Sequence, residues 1–75
     1  MNAPLLVAAD RREFLGILRH SNKLCFFEWS LDFACRAEFG GRDVLLVANG
    51  PGPALATRAV EVASSYSRFD FLVSV

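Results

Sequence analysis

The stretch Val44–Ala48, with the sequence VLLVA, decides the fold. Five consecutive apolar residues with Asp43 before them and Asn49 after them predict a strand that is covered on both faces of a sheet. Upstream, Phe33–Phe39 alternates between two faces, which predicts a half-buried antiparallel strand. The glycine pair at 40 and 41 separates these two runs and predicts a two-residue hairpin turn.

One helix is predicted after this hairpin, and a strand followed by another helix is predicted near the amino terminus. Asn49–Pro53, with the sequence NGPGP, cannot continue a strand and leads into a run with alanine and valine at helical spacing. Near the amino terminus, Leu5–Ala9 is a second continuous apolar run and predicts another strand covered on both faces. Asp10 and Glu13 after it have the spacing of a capping box, so a helix is expected to begin there and to end near His20.

The remaining segments complete an α/β order. Lys23–Trp29 predicts a second strand or an irregular extended segment, and Phe69–Val75 predicts a final strand. The expected order is β-α-β-β-β-α-β, a partial mixed sheet flanked by helices. The last helix is expected to cross over between parallel strands.

Length and composition limit the chain to one domain and exclude several classes of function. Its 75 residues carry no net charge and 53% of them are hydrophobic, which argues against disorder and against nucleic acid or an anionic membrane as a partner. Leu5–Ala9 is too short for a signal-peptide core or a membrane span, so the chain is expected to be cytoplasmic. Because an apolar strand reaches Val75, residues 1–75 are expected to form a single incomplete domain.

The cysteines have no pattern of a metal site or of a disulfide framework. Cys25 and Cys35 lack metal-ligand spacing, and His20 is the only histidine that could join them. Both cysteines are expected to be reduced and buried. The aromatic residues Phe26 and Trp29, with Phe27 between them, are expected to form a cluster in the core.

Two loops that lead from strands into helices are the candidates for chemistry, since ligands of α/β sheets bind outside the carboxyl ends of the strands. In the first loop, Glu13 is a carboxylate that could act as a general acid or base, and the alternative is a capping box beside solvated arginines. In the second loop, the glycines at 50 and 52 allow backbone to approach a ligand closely. Pro51 and Pro53 remove two amide donors, which argues against a phosphate-binding loop and leaves a plain turn as the alternative.

Three segments taken together resemble a known family. They are Leu5–Phe14 (LLVAADRREF), Gly41–Gly52 (GRDVLLVANGPG) and Phe69–Val75 (FDFLVSV). In this order they resemble the amino-terminal part of the superfamily of purine nucleoside phosphorylases and methylthioadenosine/S-adenosylhomocysteine nucleosidases. The resemblance runs over nearly the whole chain, and it implies that both loops face a nucleoside.

The resemblance also implies roles for residues of the first loop. Glu13 matches the acid that positions the attacking water as general base in the nucleosidases, and Ala9 and Asp10 match residues near the ribose. Asp10 departs from the apolar residue usual in methylthioadenosine nucleosidases. Arg11 and Arg12 would bind phosphate if the enzyme were a phosphorylase.

In the second loop, the resemblance implies a substrate-binding stretch. Pro51 falls on the side of the pocket that receives the 5′ substituent of the nucleoside. The stretch as a whole consists of Asn49, Gly50, Pro51 and Gly52. The family's residues for the ribose diol, and the aspartate that faces purine N7, would follow Val75, so these residues alone are expected to be inactive.

The resemblance thus implies the amino-terminal segment of an enzyme that cleaves the N-glycosidic bond of a purine nucleoside such as methylthioadenosine or S-adenosylhomocysteine. It implies no metal and no organic cofactor, with inorganic phosphate as co-substrate for a phosphorylase, and a homo-oligomer. The alternative is a small non-catalytic assembly domain that dimerises through its final strand edge and its Phe-rich surface.

Overall fold

The computed structural model describes residues 3–66 and 68–74 of the chain. Its strands and helices follow the expected order, with a short 3-10 helix directly before the first α-helix. The elements are β1 (Ala3–Ala8), the 3-10 helix (Arg11–Phe14), α1 (Leu15–Arg19), β2 (Leu24–Phe26), β3 (Phe33–Phe39), β4 (Arg42–Ala48), α2 (Pro53–Tyr66) and β5 (Phe69–Ser74).

The strands form one mixed sheet in the order β2-β3-β4-β1-β5. β1 is parallel to β4 and to β5, whereas β3 is antiparallel to β4 and to β2. The connection through α2 therefore runs between two parallel strands that have β1 between them, which confirms the expected crossover. Gly40 and Gly41 have φ of 61° and 78°, the left-handed values that a tight two-residue hairpin requires at both central positions.

The sheet lies between two helical layers. On one face, Leu5 and Leu45 pack with Ala59 of α2 in a buried apolar cluster. On the other face, Phe14 of the 3-10 helix packs with Leu46 in a second cluster. The strands β1 and β4 are therefore covered on both faces, as their continuous apolar sequences predict.

Three of the expected boundaries differ from the structure. β1 ends at Ala8, so Ala9 lies in the loop. The segment after Asp10 begins as a 3-10 helix and becomes α-helical only at Leu15, although the predicted capping box is present. Only three residues of Lys23–Trp29 form a strand, and Val75 lies outside the described residues.

The prediction that both cysteines are buried is wrong for Cys25. Cys35 is buried in β3, but Cys25 is exposed because β2 is a three-residue edge strand that no helix covers. Phe26 on the same strand is 62% exposed, which corrects its expected place in the core. Trp29 does pack partly buried against the core, with its ring 4.7 Å from that of Phe27.

Among the described residues, no helix has both the length and the apolar character needed to span a bilayer.

Candidate functional site

The candidate site lies at the carboxyl ends of β1 and β4. These two strands are parallel neighbours, so the loops that follow them emerge side by side. The start of β3 lies at the same edge of the sheet, because Phe33 pairs with Ala48 at the end of β4. Three chain segments that are distant in sequence therefore meet at this edge.

A backbone hydrogen bond joins the two candidate loops. The amide of Gly50 donates to the carbonyl of Ala9 over 2.8 Å. Gly50 has φ of 94°, a conformation that side chains rarely allow, so a glycine is required at this point of the turn. The side-chain amide of Asn49 donates to the Leu55 carbonyl over 3.2 Å, which ties the second loop to the beginning of α2.

A cleft of about 240 Å³ opens beside this hydrogen bond. We call it the glycine cleft, and it is lined by Val7, Ala8, Ala9, Gly50, Gly52, Pro53 and Ala56. Of the residues predicted from the sequence, it brings together Ala9, Gly50 and Gly52. Pro51 is exposed beside it, and Asn49 uses its side chain within the loop. The lining carries no charge, and Pro53 has no amide hydrogen, so the cleft suits an apolar group better than an anion.

Glu13 holds the first loop in place. Its Oε2 accepts hydrogen bonds from the amides of Ala9 at 3.1 Å and of Asp10 at 3.2 Å. This is the capping arrangement expected from the sequence, and among the described residues Oε1 accepts no hydrogen bond. Glu13 is exposed and does not line the glycine cleft; its link to the cleft is the hydrogen bond with the amide of Ala9, which does line it.

Asp10 and Arg12 form an ion pair on the same loop. Oδ1 of Asp10 accepts from the Arg12 amide at 2.8 Å and from Arg12 Nε at 3.1 Å, and Oδ2 accepts from Nη2 at 3.2 Å. The hydrogen bond from the Arg12 amide, and then that from its side chain, lower the pKa of Asp10 below its usual value. Asp10 is therefore ionised at neutral pH, and its charge is balanced by Arg12.

A second cleft, of about 170 Å³, lies on the other side of Ala9. We call it the charged cleft, and it is lined by Ala9, Asp10, Arg11, Asp32, Phe33 and Ala48. Asp32 is the one charged side chain of this cleft that was not predicted from the sequence as a site residue. The signal was available, because a two-residue hairpin between strands of equal length sets the start of β3 opposite the end of β4.

Across residues 3–66 and 68–74, no three His, Cys, Asp or Glu side chains come together in a group able to hold a metal ion. Comparisons with protein families, with characterised proteins and with solved structures find no match to this chain. The function is therefore inferred from the residues at this edge and from their chemistry.

Proposed function

We propose that the carboxyl edge of β1 and β4 binds a purine nucleoside, as the amino-terminal part of a site that hydrolyses an N-glycosidic bond. The observation that carries this proposal is the hydrogen bond from Gly50 to Ala9. It joins the loop that the resemblance assigns to the ribose with the loop that it assigns to the 5′ substituent. The two loops then form one continuous rim around the glycine cleft, and the sugar would lie across that rim.

The lining of the glycine cleft indicates the kind of 5′ substituent. Val7, Pro53 and Ala56 present apolar side chains, and no charged side chain lies in the wall. A phosphate would lose hydration there without meeting a positively charged side chain, which is costly. An uncharged group such as the methylthio group of methylthioadenosine would bury apolar surface instead. The cleft therefore favours a thioether-bearing nucleoside over a nucleotide.

The charges on the first loop favour hydrolysis over phosphorolysis. Arg12 is committed to Asp10, and Arg11 shares its cleft with the carboxylates of Asp10 and Asp32. Because Arg12 balances the charge of Asp10, the Asp32 carboxylate beside Arg11 is the one that would repel a dianionic phosphate. Water is the alternative nucleophile. Glu13 can activate it as a general base, because Oε1 can accept a proton from water while Oε2 stays bound to two amides.

The binding step is tested by titrating the ¹⁵N-labelled chain with 5′-methylthioadenosine and following the amide resonances. We expect saturable shifts at Ala9, Gly50 and Gly52. Gly52→Ala, which forces a side chain onto a φ of 99°, is expected to weaken binding, while Gly41→Ala at 78° in the distant hairpin is the matched control. Equal weakening in both variants, or shifts confined to other parts of the chain, would contradict the proposal.

The role of Glu13 is tested with Glu13→Gln. The amide oxygen of glutamine still accepts the two loop hydrogen bonds, so nucleoside binding is expected to persist. In an enzyme that carries this chain as its amino-terminal segment, adenine release from methylthioadenosine, followed by chromatography, is expected to fall about 10²- to 10⁴-fold for loss of a general base. Adenine release by that enzyme that continues unchanged in Glu13→Gln would exclude Glu13 as the base.

A second candidate function is assembly through β5, the edge strand next to β1. Leu72 pairs with Leu5 and Val73 pairs with Leu6, so these two side chains lie on opposite faces of the strand. They are 49% and 38% exposed, which leaves an apolar strand edge open to pairing with a second copy of the chain. Light scattering after size-exclusion chromatography is expected to give a dimer for wild type and a monomer for Leu72→Lys. A wild-type monomer at all concentrations excludes this function.

A further inference from the structure

The charged cleft is lined by three charged side chains, of which Arg11 and Asp32 come from different chain segments. Arg11 follows β1, and Asp32 precedes β3. In the sheet, β4 lies between these two strands, so β1 and β3 are two strand spacings apart, about 10 Å between backbones. The end of β4 forms the base of the cleft between the two charges.

The third charge of the cleft, that of Asp10, is already compensated. Asp10 also lines the cleft, but both of its oxygens accept hydrogen bonds from Arg12. Within the described part of the chain, Arg11 and Asp32 form no ion pair with each other and none with any other residue. Both side chains are exposed to solvent. They are therefore the two charges of the cleft that remain for a ligand.

The base of the cleft is apolar. Phe33 and Ala48 face each other across the β3–β4 pair, and both are buried in the cluster beneath. The volume of about 170 Å³ is that of a few water molecules, at about 30 Å³ for each. The cleft thus has room for a small ligand with an aliphatic portion.

We propose that the charged cleft binds a small zwitterion of the α-amino-acid class. The ligand carboxylate pairs with the Arg11 guanidinium, its ammonium group pairs with the Asp32 carboxylate, and its aliphatic part lies on Phe33 and Ala48. A planar guanidinium is well suited to a carboxylate because it can donate two parallel hydrogen bonds. This site goes beyond the nucleoside proposal and does not depend on it.

The pair of charges also excludes other small ligands. A ligand with only negative charge meets the Asp32 carboxylate as well as Arg11, and a ligand with only positive charge meets Arg11 as well as Asp32. A zwitterion gains an attractive contact at both ends, so the selectivity comes from repulsion of single-charge ligands as much as from attraction. Neutral ligands gain neither contact.

The test uses the full ¹⁵N-labelled chain and three alanine-based probes that differ in the charged groups they carry. L-alanine is the zwitterion, L-alaninamide keeps only the ammonium group, and N-acetyl-L-alanine keeps only the carboxylate. We expect saturable shifts of the amides of residues 9–11 and 32–33 with L-alanine, at an affinity at least about tenfold above that of either analogue. Equal affinity for the three probes, or no saturable shift with L-alanine, overturns the proposal.

Two variants assign the contacts. Arg11→Gln is expected to bind L-alanine no better than L-alaninamide, and Asp32→Asn to bind it no better than N-acetyl-L-alanine. Arg19→Gln on α1 and Asp43→Asn at the other end of the sheet are matched controls that should retain wild-type selectivity. Full selectivity for L-alanine in Arg11→Gln or Asp32→Asn overturns the assignment.

The wild-type probe series still decides the proposal if a variant does not fold. Failure of methylthioadenosine to shift Gly50 and Gly52 bears only on the nucleoside proposal.

Discussion

The strands β4 and β2 are both rich in apolar residues, but their surroundings are opposite. Val44–Ala48 of β4 lies between β3 and β1 with a helical layer on each face, and all five residues are buried. Leu24–Phe26 of β2 lies at the edge of the sheet, and all three residues are exposed. Similar side chains therefore contribute very differently to the stability of the fold. Their position in the sheet order, and not their residue type, decides how much apolar surface they bury.

The largest expected effect separates the centre from the edge by substituting leucine in each. Leu46 is fully buried in β4, so Leu46→Ala loses apolar burial and leaves a cavity, at a cost of about 2–5 kcal/mol in the free energy of unfolding. Leu24 in β2 is 44% exposed, and Leu24→Ala is expected to cost less than about 1 kcal/mol. Urea unfolding followed by circular dichroism measures both. Equal urea midpoints for Leu46→Ala and Leu24→Ala would contradict the difference in stability expected between the central strand and the edge strand.

The cysteines test the same contrast by chemical reactivity. Burial raises the pKa of the Cys35 thiol, and the residue is covered, whereas Cys25 is exposed on the edge strand. In the native protein at pH 8, Cys35 is expected to react with a thiol reagent at least about 100-fold more slowly than Cys25, since it must wait for local opening.

The single-cysteine variants Cys25→Ser and Cys35→Ser assign the two rates. In 6 to 8 M urea, roughly the range that unfolds small domains, the two rates are expected to converge. Equal rates in the native protein would mean that the face of β3 beneath α1 opens as readily as the edge.

A smaller effect is expected at the glycines. Gly50 lies at the rim of the central strands and Gly41 at the hairpin tip, both with positive φ. Gly50→Ala is expected to cost about 1–3 kcal/mol for the strained backbone. Its added Cβ would also come within 2.8 Å of Leu55 Cδ1, and no such atom is near Gly41. Gly41→Ala is therefore expected to cost only the backbone strain, about 1–2 kcal/mol.

The contact with Leu55 is separated from the backbone strain by a double-mutant cycle. In a Leu55→Ala background, the cost of Gly50→Ala in urea unfolding should decrease toward that of Gly41→Ala, because the obstructing methyl group is gone. An unchanged cost in that background would assign the whole effect to backbone strain.

Most of the fold was predictable because its signals are local. The continuous runs in β1 and β4, the alternation in β3 and the glycine pair each indicate one element without reference to the rest of the chain. The exposure of Cys25 and Phe26 was not predictable in that way. It depends on β2 being an edge strand, and the sheet order arises from pairings between residues far apart in sequence.

The site was predictable in part for the same reason. The capping box of Asp10 and Glu13 is a local pattern and was found from spacing alone. The sequence predicts only that both loops lie at the carboxyl ends of strands. The contact between Ala9 and Gly50 arises because β1 and β4 are parallel neighbours, a pairing between residues far apart in sequence. Asp32 was missed because it comes before its strand, whereas ligand-binding loops were expected after the strands.

The smallest effect is expected at Asp10, whose ion pair lies on the exposed surface rather than in the centre. Hydrogen bonds from Arg12 lower its pKa in the folded state below the ordinary value of 3.8. The stabilisation is therefore fully present above about pH 4, the ordinary carboxyl range, and is lost as the pH falls through the lower pKa of the folded state.

Asp10→Asn keeps an oxygen that can accept from the Arg12 amide but removes the charge. Thermal unfolding should show wild type above the variant by a few degrees near pH 7, with the gap closing in acid. Because the pair is exposed, salt should also narrow the gap, and Asp43→Asn serves as the exposed control. A gap that is the same at pH 7 and at pH 2 would mean that geometry, and not charge, is what Asp10 contributes to the first loop.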